Sequence, residues 1–153
     1  MTKAIESIRT PRKLLIVLIE GLSTEQLNEI PAGFNNNIIW NMGHLIAAQE
    51  GVCYKRSGLE LTTDEAFFQT YRPGTKPGGF VGNDEIERIK TLLFSTLDEL
   101  QADYDAGIFE TYTPVVTRYG IALTNIEDGI NFLPFHEGLH IGCIIALKRL
   151  ITL

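Results

Sequence analysis

The chemistry-bearing residues of this chain are few and regularly placed. It contains three histidines, His44, His136 and His140. Two of them fall in Phe135-His136-Glu137-Gly138-Leu139-His140, four residues apart. On a helix that spacing stacks both side chains on one face, about 40° apart and one turn above each other. The third lies in Trp40-Asn41-Met42-Gly43-His44-Leu45, also a helical pattern. Leu133, Leu147 and Gly129 share the face of the histidine pair, so that face should point into a core. Buried imidazoles need partners for their polar nitrogens, and a shared metal ion satisfies several at once. A three-histidine site for one divalent ion is therefore expected, with open positions that a closed four-ligand structural zinc site lacks. Imidazole donors suit Zn²⁺, Ni²⁺, Cu²⁺ and Fe²⁺. Zn²⁺ and Ni²⁺ lead, with Fe²⁺ and Mn²⁺ as further candidates.

Glu137 sits beside a histidine but about 100° away around the helix. Two roles stay open for it: a hydrogen bond to the second coordination layer or a neighbouring helix, or a general base acting on a metal-bound water or thiol. His136-Glu137-Gly138-Leu139-His140 also matches the H-E-x-x-H pattern of zinc proteases. That reading is set aside, because no further histidine follows and no sheet is evident to hold an extended peptide.

The elements that must carry these residues follow from periodicity. Ile5, Ile8, Leu15, Ile19 and Leu22 form a helical stripe interrupted by Pro11. Either Thr10 caps a helix with Pro11 at its first position, or one longer helix is kinked there. Asn35-Asn36-Asn37 offers N-caps for a second helix that runs to about Arg56 and ends at Ser57-Gly58. Gly43 and Gly51 weaken that helix but allow close approach of a neighbour or ligand. Residues 58–83 form a long connection with one or two helical turns at Thr63–Phe68, packed down by Phe67, Phe68, Tyr71 and Phe80. Lining a pocket is their sharper alternative role.

A third helix starts at Asn83 and ends near Asp105-Ala106-Gly107. The Thr- and Tyr-rich stretch from Ile108 to Leu123 gives no support for a sheet beyond a short extended piece at Val115-Val116. The fourth helix opens with the capping-box pattern Thr124-Asn125-Ile126-Glu127 and runs almost to the end, with a bend expected at Pro134. Four helices with two long linkers predict an all-α fold, a single four-helix bundle domain over 1–153 with long crossover connections.

Composition narrows the partners. The net charge of −6 argues against a nucleic-acid partner and against an anionic membrane surface. No stretch resembles a signal peptide, so a cytoplasmic location is expected. Cys53 and Cys143 read as small core residues rather than a disulfide framework.

At this level the chain resembles the DinB-like superfamily, the DinB/YfiT-like metalloenzymes. The resemblance rests on Trp40-x-x-Gly43-His44, on His136-Glu137-x-x-His140-x-Gly142, on Asn36-Asn37-x-x-Trp40 and on the closing Ala146-Leu147-Lys148-Arg149. It implies an up-down-down-up bundle, a divalent ion on His44, His136 and His140, and a homodimer. Some relatives are transferases or isomerases that use bacillithiol, mycothiol or glutathione. Three functions follow as expectations. The first is metal-dependent transfer of a low-molecular-weight thiol to an electrophilic small molecule. The second is a hydrolase using metal-bound hydroxide with Glu137 as base. The third is a non-catalytic helical metal-binding or interaction module.

Overall fold

The computed structural model describes residues 2–152. Its elements are α1 (Thr2–Ile19), α2 (Thr24–Asn28), α3 (Ile38–Gln49), α4 (Glu65–Tyr71), α5 (Asn83–Asp105), β1 (Val115–Val116), β2 (Ala122–Leu123) and α6 (Ile126–Ile151). The protein is all-α apart from one two-stranded sheet. Pro11 lies inside α1, so Thr10 does not start a new helix and a single helix runs through both residues. Helix α1 packs against α5 and α6, and α3 packs against the same two. The successive long helices α1 and α3 are therefore not principal neighbours, which a bundle wired by short hairpin loops would require.

Two apolar clusters fill the interior. One gathers Leu15, Ile19, Met42, Leu93, Ile144 and their neighbours, and the other Ile5, Ile8, Leu97, Leu100, Ile130 and Leu133. A buried polar layer separates them. Arg12 lies between Ile8 and Leu15 on α1, and Glu137 between Leu133 and Ile141 on α6. Arg12 donates Nε and Nη2 to Glu137 Oε1 at 3.0 and 2.8 Å, and Nη1 to the Leu93 carbonyl at 2.8 Å. Its Nη2 also reaches the Leu45 carbonyl at 3.4 Å. One side chain of α1 thus touches α3, α5 and α6. In the same layer Gln49 donates Nε2 to the Thr96 carbonyl at 2.9 Å. Helix α6 is long and apolar enough to cross a membrane by length and composition, but half of that window is buried inside the protein, as befits a core helix.

Capping follows side-chain chemistry. Asn37 Oδ1 accepts from the Trp40 amide at 2.8 Å, and Asp64 Oδ1 from the Phe67 amide at 2.7 Å. At α6 the cap falls one residue later than the capping-box pattern suggests. Asn125 Oδ1 accepts from the Asp128 amide, while Asp128 reaches back to the amide and hydroxyl of Thr124.

The second helix does not stay α-helical to Arg56. After Gln49 it widens into a π turn at Glu50–Tyr54 and tightens into a 3₁₀ turn at Lys55–Ser57. Gly58, at φ 71°, then stops it. At the start of the π turn the buried Glu50 carboxylate accepts from the Thr62 amide and hydroxyl at 2.8 and 2.5 Å.

Two sequence expectations need correction. Phe67, Phe68 and Tyr71 do pack the long connection down, but Phe80 is two-thirds exposed. Asn28 pins that loop by its backbone instead, exchanging bonds with the Val81 carbonyl and amide at 2.9 and 2.8 Å, and Phe80 is left outside. The stretch before α6 does form a sheet: Val115 pairs with Leu123 and Val116 with Ala122, antiparallel. Thr117 makes the turn, accepting from the Ile121 amide on its hydroxyl, and Gly120 supplies the left-handed position at φ 78°.

Candidate metal centre

The three histidines that are far apart in sequence meet where α3 and α6 pack. The ring centroids of His136 and His140 are 4.5 Å apart, those of His44 and His140 4.7 Å, and those of His44 and His136 5.3 Å. One ligand nitrogen from each lies within 4.8 Å of the others. His44 and His136 are buried and His140 is half-buried.

Each imidazole is oriented by its own neighbours. Trp40, one turn before His44, stacks on its ring at 4.7 Å and 10°, and Trp40 Nε1 is held by the Thr75 hydroxyl at 3.1 Å. His44 Nδ1 is 2.7 Å from the Tyr71 carbonyl. A carbonyl can only accept, so Nδ1 carries the proton and the Nε2 lone pair is left free. His140 Nδ1 is 2.8 Å from Asn41 Oδ1. Asn41 is oriented by Nδ2, which donates to the Asn37 carbonyl at 2.7 Å and to Asn36 Oδ1 at 3.3 Å. Its oxygen therefore faces the imidazole, and His140 too presents a free Nε2. These are the outer hydrogen bonds that metal-ligating histidines usually make. His136 differs: its Nδ1 is buried with no hydrogen-bond partner.

Gly43 explains how Tyr71 comes so close. A Cβ at position 43 would lie 2.5 to 2.7 Å from the Tyr71 ring. Only a residue without a side chain lets the end of α4 settle on α3 and bring the Tyr71 carbonyl to His44.

All three imidazoles are held neutral. Burial pushes His136 down to about 2, with His140 and His44 adding repulsion. Burial likewise takes His140 down to about 3. His44 is lowered by burial against the opposing bond to Tyr71. Neutral imidazole is the ligating form, and three such donors with two set tautomers and one orphaned nitrogen fit a divalent ion. The arrangement is compatible with a metal site, and it gives no ground for choosing among metals.

Glu137 is placed elsewhere. It is wholly buried, its Oε1 is taken by Arg12, and Oε2 has no partner. Burial pushes its carboxyl up, opposed by Arg12 beside it. Cys53 is buried and Cys143 half-buried, both free.

A cavity of about 610 Å³ opens over the cluster, lined by Trp40, His44 and His136 at one side. The β1–β2 hairpin supplies another part of the wall, one that sequence reasoning passed over. Tyr119 holds it there by packing against Phe132 and Phe135, at ring distances of 6.4 and 5.3 Å, and Phe132 in turn lies 5.8 Å from His136. The strand approach is tied to the end of the second helix, where the Thr113 amide donates to the Arg56 carbonyl at 2.6 Å. The aromatic spacing Tyr119…Phe132…Phe135 was the available sequence signal.

No curated protein matches the chain. Residues 8–144 match the family described as the DinB superfamily, a span that includes all three histidines. The chain belongs to the DinB superfamily.

Proposed function

We propose that this protein is a divalent-metal-dependent enzyme that transfers a low-molecular-weight thiol to an electrophilic small molecule, with His44, His136 and His140 holding the ion. The carrying observation is a cluster of three neutral imidazoles, two with set tautomers, of which His44 and His136 line a cavity of about 610 Å³. That volume is in the range of small-molecule sites. When bound, the ion supplies a Lewis acid that favours the ionised form of a nucleophile entering its open position.

The protein's own groups do the rest. Trp40 and the Tyr71 carbonyl fix the His44 imidazole, and Asn41 fixes that of His140. What supports a thiol over water is the lack of a base. Among the described residues no aspartate or glutamate lines the cavity, and Glu137 is committed to Arg12. A thiol, with an ordinary pKa near ~8.5, ionises far more readily than water and has less need of one. In the reaction the thiol sulfur forms a bond to carbon, the leaving group departs with the bonding pair, and the thiol proton passes to solvent.

The test is metal analysis of untagged protein, followed by thiol-consumption assays with 1-chloro-2,4-dinitrobenzene and a panel of cellular thiols, before and after chelation. Near-stoichiometric metal and chelator-sensitive consumption are expected. Stoichiometric metal without thiol consumption, beside hydrolysis of activated esters, would move the assignment to a hydrolase.

A further inference from the structure

We propose that the cavity over the histidines is built for an organic carboxylate, its anionic group held by Arg118 and Arg56 and its apolar body lying against Trp40, Phe68 and Phe132. This names the substrate class of the enzyme proposed above and rests on that reading only for the step from ligand to substrate.

The charge distribution carries the argument. The chain has 19 acidic and 13 basic residues. Yet the charged side chains that line the cavity are Lys55, Arg56 and Arg118, with no acid among the described residues. Lys55 is matched by Glu65, whose carboxylate it meets at 3.0 Å, and it lies over the Phe68 ring at 4.3 Å. Arg56 and Arg118 pair with no carboxylate among the described residues. Arg72 and Arg149 likewise pair with no carboxylate among the described residues, so what marks Arg56 and Arg118 is their shared place on the wall of a cavity that holds no acid.

The Arg118 guanidinium is also placed by structure. Arg118 sits at the turn of the β1–β2 hairpin and donates Nη2 to the Tyr119 hydroxyl at 2.6 Å, with its guanidinium 4.9 Å from that ring. Tyr119 is itself fixed on α6 by Phe132 and Phe135. Arg56 is brought to the same wall by the Thr113 amide on its carbonyl. Arg118 lines the same cavity as His44 and His136. Positive charge gathered here without a partner is self-repelling, and a bound ion would add to it. An anion offered to the guanidinium fork relieves that repulsion and gains charge-assisted hydrogen bonds. The remaining wall is apolar and aromatic, so the molecule that fits combines an anionic end with a hydrophobic body.

The experiment uses the full metal-loaded protein and two sulfur-free probes of one shape, 4-phenylbutyrate and the neutral 4-phenylbutan-1-ol. Binding is followed by calorimetry and by backbone amide shifts. The carboxylate is expected to bind about tenfold more tightly than the alcohol, a preference that Arg118→Gln and Arg56→Gln each reduce several-fold. Arg118→Lys should retain part of it. Metal content should not fall in these variants, since removing a positive charge from the cavity wall eases the repulsion of a bound cation. Equal affinity for the two probes, or no binding of either, overturns the proposal. So does a preference that survives both arginine substitutions but disappears on chelation, because the carboxylate would then sit on the ion. The two readings fail separately. Carboxylate selectivity in protein that takes up no metal sinks the enzyme reading and keeps the anion site. Chelator-sensitive consumption of 2-mercaptoethanol without carboxylate selectivity does the reverse.

Discussion

Arg12 and Glu137 form an ion pair in which both side chains have no solvent exposure, with Arg12 Nη2 and Glu137 Oε1 2.8 Å apart. The pair stands beside the metal centre on both sides. Glu137 follows His136, and Arg12 also reaches the carbonyl of Leu45, which follows His44. Removing one partner leaves a buried charge uncompensated, so Arg12→Met alone should destabilise the fold by about 3–5 kcal/mol. Arg12→Met with Glu137→Leu removes both charges and should recover most of that loss. Urea unfolding of the three proteins, at equal metal loading, measures both. A double variant as unstable as the single one would mean the pair is not the source of the loss.

Glu137→Gln separates structure from catalysis at the same position. The amide keeps an acceptor for Arg12 but not the charge, so stability should fall by about 1–3 kcal/mol. Metal content should survive, and kcat for thiol consumption should drop by less than ~10-fold, because general-base catalysis is typically worth ~10²-fold or more. A loss of kcat beyond ~100-fold with metal intact would restore Glu137 as the base and favour water as the nucleophile.

How much of this was legible in the sequence depended on the kind of signal. The long helices showed themselves because 3.6-residue periodicity accumulates over many turns. The histidine pair was legible for the same reason. The β1–β2 hairpin has only two residue pairs, too few for a period-2 pattern to rise above its Thr- and Tyr-rich surroundings. Arg12 was legible in principle. Ile5, Ile8, Leu15 and Ile19 leave a vacancy in their stripe at position 12, where an arginine stands, and Glu137 fills the matching place between Leu133 and Ile141. Apolar periodicity marks the four aliphatic positions of the stripe and not the charged one that completes it. The Tyr71 carbonyl that orients His44 was not legible at all, because a backbone atom carries no mark in the sequence.

Stability should fall with pH through the histidine cluster. Unfolded, each imidazole titrates near 6.5, whereas in the fold His136 and His140 are lowered to about 2 and about 3. Between those values the unfolded chain binds more protons than the native one, so stability rises with pH and is lost as pH falls below about 6.5. Metal-free protein shows this without competition from the ion. Unfolding free energies at pH 7, 6, 5 and 4 should decline more steeply for the wild type than for His136→Gln, which lacks one of the depressed groups. Parallel pH profiles would contradict it.

Asn41 supplies the bond that sets the His140 tautomer, and its loss should be felt at the metal. Asn41→Ala leaves His140 Nδ1 without its acceptor and should weaken metal affinity by about 10–100-fold. Asn41→Asp keeps an oxygen in reach and should bind at least as well as the alanine variant, with the imidazole made more basic. Competition against a chromophoric chelator at one pH gives both constants. Wild-type affinity in Asn41→Ala would remove Asn41 from the site.

Gly43 offers a test of how a backbone contact reaches the metal. In Gly43→Ala the new Cβ falls 2.5 Å from the Tyr71 ring, closer than carbon atoms can approach, so α4 must move outward. Its last carbonyl, on Tyr71, moves with it and loosens from His44 Nδ1. The variant should melt lower and bind metal about tenfold more weakly, although residue 43 touches no ion. The remedy follows from the cause. Tyr71→Leu shortens the obstructing side chain but keeps the backbone carbonyl, so Gly43→Ala with Tyr71→Leu lets α4 settle back. The double variant should therefore bind metal more tightly than Gly43→Ala alone, even though it carries a second change in the core. Metal affinity by chelator competition and melting temperature, measured on wild type, both single variants and the double, decide it. If the double variant binds no better than Gly43→Ala, the glycine acts on the helix backbone of α3 itself and not through the distance between Tyr71 and His44.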